Sequence, residues 1–405
     1  MLFWLEVAFL RIYMRLFKAI TALLPIHWPR EFSGPGSAQE LLAHIKNEGH
    51  AHIFLVTDSN LIKAGVVPPL LEKIGALGMQ VTLFQEVSPD PPMAQIELGY
   101  QRLRDSQAKV VLAIGGGSVI DAAKLISARA LNDKPVHKLT GLFKVRKGIL
   151  PLFVIPTTAG TGSEVTIAAV VSDPVKQRKL PVLDPKLMPT AMALDAEIMK
   201  GLPPAITAAT GMDALTHAIE AYISRNATQE TDQRALAAAK KIFQYLPNAY
   251  ADGNDTEARQ QMAEASKLAG QAFTIAGVGY VHAIAHNLGA LYHLPHGLAN
   301  AIVMPHVLKA SRPNCDAKLA RMAIYCSLAD ESDSDAEAAT KLIETIVRMN
   351  KELSIPVRVV ELRPADIERI TKAAREEARF TYAVPRYLKK NEMKSLLQGL
   401  HMRNH

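Results

Sequence analysis

The first half of the chain alternates short apolar runs with segments whose apolar residues recur at helical spacing. The apolar runs predict buried strands at HIFLVT (52–57), MQVTLF (79–84), KVVLAIG (109–115), LPLFVIPT (150–157) and TAMALD (190–195). Strands separated by helical segments indicate βαβ units and a mainly parallel sheet. Two further runs, 164–173 and 179–184, predict a smaller antiparallel pair.

From residue 201 onward the strand signals fade, and the apolar residues recur only at helical spacing. The boundary falls at the helix-breaking GLPP sequence of residues 201–204. We therefore predict an N-terminal amphipathic extension (1–30), an α/β domain (31–202) and an all-helical domain (203–405).

The N-terminal extension is strongly apolar, but it carries Glu6, Arg11, Arg15 and Lys18. These charges argue against a membrane-spanning helix, and they follow the first apolar run, which is the wrong order for a signal peptide. The three basic residues share one helical face. Two interpretations stay open: a helix docked on the protein or on a second subunit, and a basic amphipathic helix in weak contact with a membrane surface.

The overall charge and the cysteine content bear on the protein's partners and on its cellular location. The 405 residues include 46 basic and 39 acidic ones, giving a net charge of +7, and 6% are aromatic. The basic residues are scattered and no aromatic platform accompanies them, so we predict no nucleic-acid partner. The two cysteines, Cys315 and Cys326, form no metal motif or disulfide framework, which favours the cytoplasm.

A glycine run, residues 115–117, lies between the third predicted strand and a helical segment. Glycines at a helix N-terminus allow close backbone approach to a pyrophosphate, although this run does not match the GxGxxG fingerprint. The loop PTTAGTGSEVT (156–166), rich in hydroxyl groups, follows the fourth strand. Asp58, at the end of the first strand, suits either a hydrogen bond to the adenine ribose of NAD or a helix N-cap.

Histidines concentrate in the apolar segment GVGYVHAIAHNLGALYHLPHG (277–297), which contains four of the chain's 13. His282 and His286 stand four residues apart, as do Asp213 and His217 in an earlier predicted helix. Residues at this spacing share a helix face. One carboxylate with two or three imidazoles is a ligand set that suits Fe²⁺ or Zn²⁺.

Four motifs, in chain order, resemble those of the iron-containing (group III) alcohol dehydrogenases. They are GGGSVIDAAK (115–124), PTTAGTGSEVT (156–166), LPPAITAATGMDALTHAIEAY (202–222) and HAIAHNLGALYHLPHGLANAIVMPH (282–306). The resemblance covers roughly residues 31–395. It implies a Rossmann-like α/β domain and an all-helical domain, as in dehydroquinate synthase. It also implies an oxidoreductase that uses NAD in preference to NADP, binds Fe²⁺ or Zn²⁺, acts on a small alcohol or aldehyde, and forms a homodimer or larger homo-oligomer.

The resemblance also assigns roles to individual residues, and it places a catalytic histidine at His286 but no role at His293. The implied metal ligands are Asp213, His217, His282 and His296. The implied cofactor-binding residues are Asp58, Gly115, Gly116, Gly117, Ser118, Thr157, Thr158, Thr161, Ser163, Thr166, Val170 and Lys179.

The sequence departs from the family pattern at Ala168 and at TYAVPR (381–386), where many members have Asn and GNPR. Both regions shape the family's substrate pocket, so the resemblance does not identify the substrate. The alternative function is that of a hydroxyacid–oxoacid transhydrogenase, or of another polyol or hydroxy-acid dehydrogenase.

Overall fold

A computed structural model describes residues 2–21, 26–173 and 178–401 of the chain. They form two compact units. The α/β unit contains the described residues of 26–202 together with 254–267, and the helical unit contains 2–21, 203–253 and 268–401. The predicted domain bounds differ from these units in assigning residues 254–267 to the helical domain and in separating residues 1–30.

The α/β unit is built on a parallel sheet of the order β1-β9-β6-β4-β2-β3, which confirms the predicted fold class. A second, smaller sheet has the order β5-β8-β7, and β7 and β8 form the predicted antiparallel pair. The strands are β1 (Arg30–Ser33), β2 (His52–Val56), β3 (Gln80–Phe84), β4 (Val110–Gly115), β5 (Gly141–Leu142), β6 (Leu152–Pro156), β7 (Ala168–Asp173), β8 (Arg178–Leu183) and β9 (Ala191–Leu194).

Burial explains which strands the apolar pattern predicted. Strands β4, β6 and β9 are buried at every residue, as a parallel sheet covered on both faces requires. Strand β1 has the sequence REFS, lies at the sheet edge and pairs only with β9 among the described strands. It was not predicted, because Phe32 is the one apolar residue among its four.

The helices are numbered in chain order. They are α1 (Leu2–Thr21), α2 (Ser37–Asn47), α3 (Ser59–Lys63), α4 (Pro68–Ala76), α5 (Met93–Ser106), α6 (Gly117–Leu131), α7 (Val136–Leu139), α8 (Ala196–Met199), α9 (Pro204–Ile223), α10 (Gln229–Ala251), α11 (Thr256–Ala276), α12 (Tyr280–Tyr292), α13 (His296–Ser311), α14 (Asp316–Tyr325), α15 (Asp335–Glu352), α16 (Ile367–Thr381) and α17 (Lys390–His401).

The helical unit has its centre at α9. This helix is buried at every position from Gly211 to Ile223, so this part of it lacks the exposed polar face that a surface helix shows. In the described part of the chain no single helix is long and apolar enough to cross a membrane, and only α11 and α12, bent by 103° at their junction, pass that test as a pair.

Candidate active site

The four residues predicted as metal ligands come together inside the helical unit. Asp213 and His217 lie one turn apart on α9, His282 lies on α12, and His296 is the first residue of α13. One ligand atom from each side chain lies within 4.8 Å of the others. Three of these residues are buried, whereas the His296 side chain is 30% exposed. The cluster is therefore enclosed but open to solvent on one side.

The spacing of these atoms fits a first-row divalent metal. Nε2 of His282 lies 3.8 Å from Oδ1 of Asp213, and Nε2 of His296 lies 3.6 Å from the same oxygen. Ligands about 2.1 Å from a tetrahedral ion lie about 3.4 Å from each other. With no thiolate in the set, one carboxylate and three imidazoles match the donors preferred by Fe²⁺ and Zn²⁺.

Glu220, one turn after His217 on α9, fixes the orientation of His282. Its carboxylate accepts hydrogen bonds from the backbone N–H groups of Gly279 and Val281, both at 2.7 Å, and lies 2.7 Å from Nδ1 of His282. A carboxylate on one ring nitrogen leaves the other nitrogen for a metal. A Cβ atom on Gly279 would lie 2.7 Å from Oε1 of Glu220, so this contact requires glycine.

Glu220 gives the metal-free protein a specific pH dependence. Burial raises its pKa from 4.5 to about 7, despite hydrogen bonds that lower it. Between these pH values the folded protein keeps a proton that the unfolded chain releases, so the free energy of unfolding falls as pH rises. We expect this decline to be smaller in Glu220→Gln by on the order of 2–3 kcal/mol, measured by urea unfolding at the two ends of the window. If the free energy of unfolding falls equally with pH in both proteins, the pH dependence does not come from Glu220.

Asn300, which the sequence analysis did not single out, contacts three of the four ligands. Its Nδ2 donates a 2.6 Å hydrogen bond to Oδ1 of Asp213 and lies 3.3 Å and 3.2 Å from Nε2 of His282 and His296. Asn300 lies one turn after His296 on α13 and is fully buried. The sequence did contain one signal for a special role, since Asn300 is the polar residue within the apolar run LANAIVMP (298–305). The amide holds the carboxylate oriented toward the imidazoles.

The His282 imidazole is held in its neutral form. Burial, followed by the nearby imidazoles of His217, His296 and His286, keeps its pKa well below the usual value. The His217 ring stacks on His282, with ring centroids 4.6 Å apart, and on Phe273 at 4.2 Å. A neutral imidazole has a nitrogen lone pair for a metal, so the apolar surroundings favour the ligand form.

Gly297 brings His296 close to α9. A Cβ atom on this residue would lie only 2.2 Å from the backbone oxygen of Ala209 and 3.2 Å from Cβ of Asp213. The first turn of α13 therefore packs against the α9 backbone at a distance that no side chain allows. This contact sets the separation between His296 and Asp213.

His286 and His293 are not among the four clustered ligands. Nδ1 of His286 lies 2.7 Å from Oε1 of Glu377 on α16, and the hydroxyl of Tyr382 donates to the same oxygen at 2.6 Å. His293 ends α12 in the left-handed conformation with φ of 55°, and its N–H bonds to the carbonyl of Gly289 at 3.0 Å. Its role in the structure is thus a helix C-cap.

In the α/β unit, the glycine run and the hydroxyl-rich loop lie against each other. Cβ atoms on Gly115 and Gly117 would lie 2.5 Å from Val119 and 2.7 Å from Thr161, so neither position accepts a larger residue without displacement. Helix α6 begins at Gly117. The N–H groups of Val119 and Ile120 bond to the carbonyl of Gly116, and the first turn that they close is the kind of helix N-terminus that suits an anion.

The buried Lys124 ties the hydroxyl-rich loop of residues 156–166, called the second loop below, to α6. Its Nζ donates to the carbonyls of Ser163, Thr166 and Ala168 at 2.7–2.8 Å, and to the Thr166 hydroxyl at 2.9 Å. Burial lowers its pKa to about 8, with the carboxylates of Asp121 and Glu164 opposing this shift. Thr166 is thus engaged in the loop's own hydrogen bonds. The sequence analysis missed Lys124, because a lysine in a helix usually indicates a solvent-exposed position.

Three other predicted cofactor residues also have partners within the α/β unit. The Ser163 hydroxyl donates to Oδ1 of Asp121 at 2.6 Å, and the Val170 N–H donates to Oδ2 of the same residue at 2.9 Å. Nζ of Lys179 lies 2.6 Å from Oδ1 of Asp90. Asp121 therefore links α6 to the second loop and to β7.

The remaining predicted cofactor residues differ in exposure. Thr157 is buried and its N–H bonds to the carbonyl of Gly115 at 3.1 Å, whereas Gly116, Ser118, Thr158 and Thr161 are half-buried. Asp58 is the N-cap of α3, where Oδ1 accepts from the N–H groups of residues 60 and 61 at 2.8 and 3.1 Å. The N-cap alternative therefore describes its conformation, and its cofactor role stays a prediction.

Both halves of the chain match models of one protein family. The model described as iron-containing alcohol dehydrogenase matches residues 29–196, and the model of the C-terminal part of the Fe-containing alcohol dehydrogenase family matches residues 207–400. Together they cover most of the chain.

Individual relatives agree with this match. The NAD-dependent methanol dehydrogenase of Bacillus methanolicus is 39% identical over 86% of this chain and 92% of its own length. The lactaldehyde reductase of Escherichia coli K12 is 37% identical over 85% and 91%. The crystal structure of a 1,3-propanediol oxidoreductase superposes with a TM-score of 0.88 at 33% identity, covering 93% of this chain and 99% of that one. The chain therefore belongs to the iron-containing alcohol dehydrogenase family.

Proposed function

We propose that the protein is a metal-dependent alcohol dehydrogenase that transfers hydride reversibly between an alcohol and NAD⁺, giving an aldehyde or ketone and NADH. The observation that carries this proposal is the enclosed cluster of one aspartate and three histidines. Asp213, His217, His282 and His296 hold Fe²⁺, with Zn²⁺ as the alternative metal. The NAD dependence of the methanol dehydrogenase relative supports the choice of cofactor.

The metal supplies Lewis acidity that lowers the pKa of the alcohol, and NAD⁺ supplies the hydride acceptor. The protein residues must then accept one proton for each hydride transferred. His286 suits this task, because Glu377 at its Nδ1 favours the tautomer whose Nε2 carries a lone pair. The imidazole side chain is 27% exposed, so the proton can pass on to solvent.

The proposed cofactor site is the region around the glycine run and the second loop. Gly115, Gly116, Gly117 and Ser118, at the start of α6, bind the pyrophosphate through backbone N–H groups. Thr157, Thr158 and Thr161 contribute polar groups of the second loop. Ser163, Thr166, Val170 and Lys179 act mainly by shaping that site, since each has an internal hydrogen bond.

Asp58 is the proposed determinant of the preference for NAD. Its carboxylate would repel the 2′-phosphate of NADP, and Oδ2 is not used in the N-cap. Asp58→Asn keeps a side chain that can cap α3 but removes the charge. We expect kcat/KM with NADP⁺ to rise about tenfold relative to NAD⁺, while thermal stability changes little. An unchanged ratio of the two cofactors would rule out the ribose role.

The test of the function as a whole is a panel of alcohols and aldehydes, each assayed with NAD and NADP. The purified protein is freed of metal and then reconstituted separately with Fe²⁺ and Zn²⁺. We expect net formation of NADH from simple primary alcohols and diols, and no turnover without metal. A transhydrogenase would need an oxoacid as second substrate and would release no NADH, and that result would replace the proposal.

The remaining parts of the proposal concern the protein's surroundings. We propose a cytoplasmic enzyme that forms a homodimer or a larger homo-oligomer and makes weak contact with a membrane surface through its N-terminal helix. Sedimentation of the purified protein tests the oligomeric state, and cell fractionation tests the location.

A further inference from the structure

Helix α1 contributes one face to its own unit. Val7, Leu10 and Met14, at spacings of three and four residues, are each 5% exposed or less. The helix is also tied to α16, since Glu6 pairs with Arg379 at 2.7 Å and Tyr13 packs edge-on against Phe380 with centroids 6.1 Å apart. These contacts anchor α1 as part of the folded helical unit.

The opposite face of α1 is an apolar stripe. Five large side chains, Trp4, Leu5, Phe9, Ile12 and Leu16, are each 58–66% exposed. Spacings of four, three and four residues place Leu5, Phe9, Ile12 and Leu16 along one side of the helix. Trp4 lies about 100° away around the helix axis, on the side of Arg11 and Arg15. Phe380, beside Tyr13, is also 56% exposed. Contiguous apolar surface of this extent is rare on monomers and usually marks an interaction surface.

Positive charge borders this stripe. Burial, followed by the nearby guanidinium groups of Arg11 and Arg15, lowers the pKa of Arg225. Arg225 therefore lies close to both of these arginines. Nε of Arg11 is buried and has no hydrogen-bond partner among the described residues. Near the start of α1, Nζ of Lys389 lies 6.0 Å from the centroid of the Trp4 ring. The carboxylate of α1, Glu6, is paired with Arg379.

This distribution of charge favours a lipid surface over a second copy of the chain. A symmetric pairing of two stripes would bring the cations at their borders together without carboxylates to match them, and like charges across an interface cost affinity. A bilayer containing anionic lipids offers an apolar interior for the stripe and phosphates for the guanidinium groups. A tryptophan and flanking basic residues are also typical of helices at the membrane interface.

We propose that α1 docks the protein on an anionic phospholipid membrane, with Leu5, Phe9, Ile12 and Leu16 inserted at headgroup level, Trp4 beside them at the membrane interface, and Arg11, Arg15 and Arg225 on lipid phosphates. The helix lies parallel to the membrane plane and does not cross it. The proposal is independent of the catalytic assignment, since α1 contains none of the four clustered metal ligands.

Flotation of the full-length, metal-loaded protein tests this proposal. The vesicles contain phosphatidylcholine alone, or phosphatidylcholine mixed with phosphatidylserine. We expect strong binding to the anionic vesicles, weaker binding to the neutral ones, and a decrease as salt concentration rises. Absence of wild-type binding to the anionic vesicles at low salt would overturn the proposal.

Two variants separate the apolar contribution from the charge. The double variant Phe9→Gln/Ile12→Gln should bind both vesicle types more than about tenfold less. Arg15→Gln should weaken binding to anionic vesicles about fivefold and leave neutral vesicles unaffected. The matched control is Val360→Gln, since Val360 is 84% exposed and lies outside the stripe. Circular dichroism and unchanged dehydrogenase activity show that each variant folds.

Sedimentation of the same variants tests the alternative that a second copy of the chain, and not a membrane, binds the stripe. If the double variant dissociates an oligomer of the wild-type protein and its vesicle binding equals that of the wild type, the stripe is an interface between copies and the membrane proposal is wrong. We expect the oligomeric state to stay the same while flotation is lost.

Discussion

Replacement of His282 by alanine should remove both the bound metal and the catalytic activity. His282 is 2% exposed, and its ring is fixed by the Glu220 carboxylate at 2.7 Å from Nδ1. Alanine offers no nitrogen lone pair, so the cluster loses one of its four metal-binding groups. We expect metal content after reconstitution to fall to background and kcat/KM to fall by at least about a thousandfold. Metal analysis and the NADH assay measure the two effects separately.

The matched control for this variant is His293→Asn. His293 lies in the same histidine-rich segment but is exposed, and it ends α12 at φ of 55°, a conformation that asparagine tolerates. We expect full metal content and nearly full activity. A His282→Ala protein that stays active after treatment with a chelator would show that the metal assignment is wrong.

Replacement of Gly297 by alanine should disrupt the site without removing any ligand. The added Cβ would lie 2.2 Å from the backbone oxygen of Ala209, so the start of α13 must move away from α9. This movement increases the distance from His296 to Asp213, now 3.6 Å between Nε2 and Oδ1. We expect metal affinity to fall about 100-fold and the free energy of unfolding to fall by about 1–3 kcal/mol.

The control for Gly297→Ala is Gly399→Ala in α17. A Cβ there would meet Nδ1 of His306 at 3.8 Å, which is ordinary van der Waals contact, and alanine favours a helix over glycine. That variant should keep its metal affinity and its stability. If Gly297→Ala binds metal as tightly as the wild type, the close approach of α13 to α9 does not set the geometry of the site.

Most of the fold follows from patterns within short segments. The five apolar runs predicted for the parallel sheet correspond to β2, β3, β4, β6 and β9. The inner strands β2, β4, β6 and β9 are apolar along most of their length because both faces of the sheet are covered. Strand β1 escaped prediction because its sequence, REFS, has one apolar residue, whereas the other edge strand, β3, has the more apolar sequence QVTLF. The clustered ligands were recognisable because each helix carries its residues at helical spacing or in a motif typical of the family.

The residues that orient the site were not predictable in the same way. Glu220 is 62 residues from His282, Glu377 is 91 residues from His286, and Asn300 is 87 residues from Asp213. Within its own segment each residue shows at most that it is polar, and not which distant side chain it contacts. Its role arises only when two distant helices pack together, and a local pattern contains no information about that packing.

The sequence alone determined the alternation of strands and helices, the family, and the types of residue available for metal and cofactor chemistry. The reason is that periodicity, glycine runs and ligand spacing are local properties of a chain. The tertiary structure decided that Glu220 and Asn300 hold the ligands, that Lys124 locks the second loop, and that His293 is a helix cap. It also decided that one face of α1 is buried and the other exposed. These depend on which surfaces meet in the folded protein, and close packing selects such contacts across long stretches of sequence.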